Sequence, residues 1–200
     1  MNKFNTMIPL TFLSFFFVGA VNADETITCP STINQDIDDS VTLTGQGTCT
    51  LTTGTQITND VTVLNNVSFT VKGVVDGKID EVGAGRVVVD GGTINNDIIE
   101  SGAGTVEVKN AGLVRGKIDE SGSGWVEVNN GRVENDILES DSGSISVING
   151  SFVSGNVDES DGGSVVVDIT SRVEGNVFEE GQGNCTGVVT ASVEGVVDCD

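Results

Sequence analysis

Six glutamates hold the same place in a repeating sequence: Glu81, Glu100, Glu120, Glu139, Glu159 and Glu179, at steps of 19 or 20 residues. If each step is one coil of a stacked structure, neighbouring carboxylates lie about 5 Å apart, the spacing between strands. Two such charges repel by roughly 3 kcal/mol at an effective dielectric of 20, and by less than about 1 kcal/mol in water. Three fates are open to the column. The side chains splay into solvent. They accept hydrogen bonds from turn N–H groups beside Ser101, Ser121, Ser140 and Ser160. Or they share Ca²⁺ between coils, because Ca²⁺ takes carboxylate and carbonyl oxygens in a flexible geometry. The column is therefore the candidate metal site, with Ca²⁺ as the candidate ion, although the Ca²⁺-binding nonapeptide G-G-x-G-x-D is absent.

Paired carboxylates can also act as acid and base in glycoside hydrolysis. Here they form a repeated ladder, and no copy carries an odd residue that would mark a unique cleft. The chain has no His, which removes the commonest general base and transition-metal ligand. The expectation is a protein without catalytic residues and not an enzyme. Trp125 is the singular residue of the repeats, placed at the start of a strand beside Gly124. It is either a sugar-stacking platform or an ordinary exposed apolar residue at a turn. Thr42-Leu43-Thr44 and Thr48-Cys49-Thr50 have the look of an ice- or crystal-binding array, but later copies do not continue it.

The elements that carry these residues are legible from the repeat. Gly77-Lys78-Ile79-Asp80-Glu81 returns as Asn96-Asp97-Ile98-Ile99-Glu100, Gly116-Lys117-Ile118-Asp119-Glu120 and Asn135-Asp136-Ile137-Leu138-Glu139. Gly155-Asn156-Val157-Asp158-Glu159 and Gly175-Asn176-Val177-Phe178-Glu179 follow. Apolar residues alternate within each copy, the strand period. Stacking the copies gives four aliphatic columns, headed by Ile79, Val87, Val89 and Ile94. Glycine recurs at 85, 104, 124, 143, 163 and 183, as expected where a turn needs positive φ. A period near 20 with strand alternation and glycine turns reads as an all-β parallel β-solenoid with coils of 19–20 residues.

One copy cannot fold alone, because four buried aliphatics fall short of the entropy of ordering a whole coil. Charge placement fixes the coil length. With one copy per coil, Lys78, Asp97, Lys117 and Asp136 alternate in sign, and Asp80, Asp119 and Asp158 are separated by Ile99 and Leu138. Two copies per coil would stack Lys on Lys and Asp on Asp, which is unfavourable.

The ends differ from the middle. Residues 1–23 carry Lys3, an apolar core over 7–18 and Val21-Asn22-Ala23, a secretory signal pattern cleaved after Ala23. The apolar core is too short to span a bilayer, so no transmembrane anchor is expected after processing. Residues 24–58 read as Thr-rich capping coils, and 59–200 as the repeat solenoid with its C-terminal cap. The cysteines sit at the two ends, and local pairing gives disulfides Cys29–Cys49 and Cys185–Cys199, stapling coils that have one neighbour each. A formal charge of −21 argues against nucleic acid and anionic membranes as partners.

Over residues 59–198 the G-x-I and V-x-V runs resemble bactofilins, polymer-forming parallel β-helix proteins. The resemblance implies a compact β-helix core with tight aliphatic columns. Bactofilins are cytoplasmic filament formers and lack this export signal and these terminal cysteines. More loosely, the chain looks like secreted β-solenoid surface proteins of bacteria. The expected function is a non-catalytic, exported structural or adhesive rod, periplasmic or at the cell surface, acidic and Ca²⁺-responsive. The alternatives are a self-assembling filament and a module that binds a surface glycan or ice.

Overall fold

The protein is a parallel β-solenoid of about nine turns, seen in a computed structural model that describes residues 24–188 and 192–199. The expected signal segment, 1–23, lies outside the described residues. From residue 79 onward each coil has three strands. Ile98–Gly102 lies on a first face, Thr105–Lys109 on a second and Leu113–Val114 on a third, and later coils repeat this order. All pairings are parallel and join each strand to its equivalents in the coils before and after.

Register confirms one copy per coil. Ile118 pairs with Ile98 on one side and Ile137 on the other. Asp119 lies between Ile99 and Leu138, so like charges do not stack there. Lys78 and Lys117 each close an ion pair within their own coil, to Asp80 and Asp119 at 2.7 Å. The four aliphatic columns fill the interior, and Ile98, Val106, Val108 and Val114 have no accessible surface.

The alternation of Gly-Lys with Asn-Asp has a backbone cause. At the corner before the first face, an Asp or Asn Oδ1 accepts the N–H of the same position one coil on: Asp60 from Lys78, Asp97 from Lys117, Asp136 from Asn156, Asn156 from Asn176. Lysine has no acceptor to offer the next coil. In the coils after Lys78 and Lys117, the preceding residue is Asn, and Asn96 and Asn135 accept the N–H of Asp97 and Asp136 instead. A corner N–H partly shielded from water by the coil stack needs an acceptor, and the sequence supplies one from one place or the other.

The first three coils are built differently. Val41–Leu51 and Val61–Val71 each run as one strand of 11 residues across the first two faces. The strand Val61–Val71 then pairs with two separate strands of the next coil, Ile79–Gly83 and Arg86–Asp90. The change in architecture falls here, inside the span that the sequence assigns to the repeat. Disulfides join Cys29 to Cys49 and Cys185 to Cys199, as local pairing predicts.

Candidate functional site

Strand alternation turns Glu81 to the same side as Ile79, and register then stacks the glutamates in order from Glu81 to Glu179. That side is the interior. All six are between 0% and 2% exposed, so the column is not a face open to water.

Each glutamate has a backbone partner four residues on. Oε1 accepts the N–H of Gly85, Gly104, Gly124, Gly143, Gly163 and Gly183 in turn, at 2.6 to 3.1 Å. The corner between the first two faces creates this need. Other corner amides reach the preceding coil, as Ala84 does to Asn65, Ala103 to Gly83 and Ser123 to Gly102. The glycine amide instead meets the carboxyl in the dry interior. Left unpaired it would cost about 1–3 kcal/mol. The serines expected beside the donors bond elsewhere: Ser101, Ser121, Ser140 and Ser160 donate to the carbonyl of the glutamate one coil back.

The glycine column has a different reason from the expected one. Positive φ falls two residues earlier, at Gly83, Gly102, Gly122 and Gly181, with Asp141 (96°) and Asp161 (100°) in the same column. Gly85 to Gly183 are glycine because there is no room for a Cβ. At Gly104 a Cβ would lie 2.5 Å from Glu100 Oε1, 2.6 Å from the Gly85 carbonyl oxygen and 2.9 Å from Glu81 Oε2. Carboxyl oxygens from two successive coils therefore converge over one glycine.

The second oxygen has no donor. Oε2 of all six glutamates is buried and receives no hydrogen bond. Burial is the main force that pushes the Glu81 carboxyl up to about 8, Glu120 to about 9 and Glu159 to about 7, and contact with neighbouring rungs adds to it. A proton on Oε2 would supply what the column lacks, a donor facing the carboxyl of the next rung. Glu100 adds to the rise at Glu81, and Glu100 and Glu139 both add to the rise at Glu120. Among the described residues, the charges that raise these three groups most are other rungs of the same ladder. The column is closed at one end by Val63, which pairs with Glu81, and at the other by the disulfide-bonded Cys199, which pairs with Glu179.

This arrangement caps corner amides and leaves one buried carboxyl oxygen of each rung without a donor. No group of three or more His, Cys, Asp or Glu side chains suited to a metal ion occurs among the described residues. Trp125 begins the strand Trp125–Asn129 directly after Gly124, whose amide caps Glu120, and is 38% exposed. The glycine partners escaped the sequence reading, although a signal was present: Glu is followed by Gly at i+4 in six successive copies. Comparison with protein-family models, curated proteins and solved structures finds no match.

Proposed function

We propose that the protein is a non-catalytic structural element, a short self-contained rod exported to an oxidising compartment. The observation that carries this reading is the closure of both ends. Cys29–Cys49 ties the first coil to the second, and Cys185–Cys199 ties the last described strands together. Two disulfides fit an extracytoplasmic setting. Among the described residues the first strand, Glu25–Ile33, pairs on one side only, and Pro30, at a register break in that pairing, makes the strand irregular. Proline and irregularity at an edge discourage the strand addition that filaments need. No helix among the described residues is long and apolar enough to cross a membrane.

About nine coils at roughly 4.8 Å make a rod some 40–45 Å long. Sedimentation velocity and negative-stain microscopy across a hundredfold range of concentration test the reading. A monomeric rod is expected. Filaments that lengthen with concentration would instead favour the bactofilin-like alternative.

A second reading, a module that binds a regular surface, is favoured by the first three coils. Thr26, Thr42 and Thr62 stack, as do Thr32, Thr50 and Thr70, with Thr28 over Thr44 and Thr48 over Ser68. None of these hydroxyls is engaged by another side chain or carbonyl among the described residues. Pull-down on insoluble glycans and ice, with Thr42→Val and Thr44→Val as the control, separates this reading from a purely structural one. Calcium is the weaker ligand for the ladder: Ca²⁺ takes 6–8 oxygens, whereas each rung has one free oxygen left once Oε1 has bonded its glycine amide.

A further inference from the structure

We propose that the six stacked glutamates form a shared-proton ladder that gates the later coils: they stay closed while the ladder holds protons and open when it empties, while the first three coils remain folded. The inference deepens the structural-rod reading by giving the rod a condition under which it stands.

Geometry leads to it. Six buried carboxyls are stacked, each fixed at Oε1 by a glycine amide and lacking a donor at Oε2. Only a proton can reconcile neighbouring Oε2 and carboxyl oxygens without a cation. No lysine or arginine faces the ladder from any described strand. Lys78 and Lys117 lie on the outer side of the first-face corner and pair with Asp80 and Asp119, and Lys109 pairs with Glu107 on the second face. On the third face Arg132 and Arg172 pair outward, with Glu134 and with Glu174 and Glu194. The aspartates Asp80, Asp119 and Asp158 point outward from the same strands.

The sign follows from linkage. A carboxyl whose folded value is raised above the unfolded one holds a proton that the unfolded chain releases. Its contribution is complete below the unfolded value near 4.5 and is lost as pH rises through the folded values of about 7, 8 and 9. The composition isolates that window. The chain has no His and no Tyr, and no free cysteine occurs among the described residues. Between pH 6 and 9.5 Glu81, Glu120, Glu159 and the chain's α-amino group are the expected titrating groups.

The first three coils are the internal control. At the ladder position they carry Ile27, Leu43 and Val63, which do not titrate.

Thermal melts of the intact, oxidised protein at constant ionic strength from pH 6 to 9.5 test the proposal. The expected result is a melting temperature that falls by roughly 10 °C or more across the window. Glu100→Gln, Glu120→Gln and Glu139→Gln together keep an acceptor for each glycine and a donor for the next rung. This triple variant should flatten the profile and raise the melting point at pH 9. Amide exchange on the unmodified protein needs no variant: at pH 9.5, after correction for intrinsic rates, protection should drop over 98–188 and persist over 41–71. A flat profile in the unmodified protein, an unchanged slope in the Gln variant, or uniform loss of protection over both regions would overturn the proposal. The monomeric-rod reading is tested separately by sedimentation at pH 6, below the raised values of Glu81, Glu120 and Glu159, so either can fail alone.

Discussion

The first three coils and the later ones solve one corner in two ways. In the third coil the strand Val61–Val71 continues round the corner, bending at Asn65 (φ 64°), and buries both Val63 and Val67. In the fourth coil the strand breaks, and the same two places hold Glu81 and Gly85. One pair packs two branched side chains. The other removes one side chain, admits an inward amide and fills the space with a carboxyl that caps it. The difference teaches that a buried carboxyl here is a backbone device first, and that the unpaired Oε2 is what remains after the amide is satisfied.

The comparison can be broken most severely at the glycine. In Gly124→Ala the new Cβ would drive into the Gly104 carbonyl oxygen and Glu120 Oε1, both held by the coil stack. We expect a loss of about 3–5 kcal/mol in urea unfolding. Alanine at Gly150, where nothing lies within 4 Å of the Cβ, should cost only about 1 kcal/mol from its positive φ.

Transplanting the later solution into the third coil sharpens the contrast. Val63→Glu alone buries a carboxyl without an amide to cap and should cost about 3 kcal/mol or more at pH 7. Adding Val67→Gly opens the space and frees the amide. The two changes should couple favourably by about 1–2 kcal/mol in a double-mutant cycle, while additive losses would deny that the pair acts as a unit.

The disulfides come next. They close spans of 20 and 14 residues, so removing either should cost about 2–4 kcal/mol. Cys29→Ser should loosen the threonine-bearing coils, and Cys199→Ser the ladder end beside Glu179, each read by local amide exchange. The smallest effect concerns calcium. Melts in Ca²⁺ and in EDTA at matched ionic strength should differ by less than about 1 °C, and a Ca²⁺-specific rise would return the column to metal binding.

Much of this was legible in the sequence. The four aliphatic columns carry one residue type at a fixed period, and the alternation of Lys78, Asp97, Lys117 and Asp136 fixes the coil length. The glutamate column was visible too, but not its direction. Parity within Ile79-Asp80-Glu81 places Glu81 with Ile79, yet the hydrophobic pattern gives a carboxylate no reason to point inward. The reason is the Gly85 amide, a main-chain donor that side-chain patterns do not reveal. The glycine column was found for the wrong cause, because a missing side chain records either unusual φ or close approach, and the sequence does not distinguish them.

The most direct test is a titration of the glutamate side-chain carboxyls by ¹³C NMR in the unmodified, oxidised protein. The account predicts that Glu81, Glu120 and Glu159 remain protonated well above the usual range and titrate between about pH 7 and 9. If Glu81, Glu120 and Glu159 are already ionised by pH 6 in the folded protein, the ladder is not held together by shared protons.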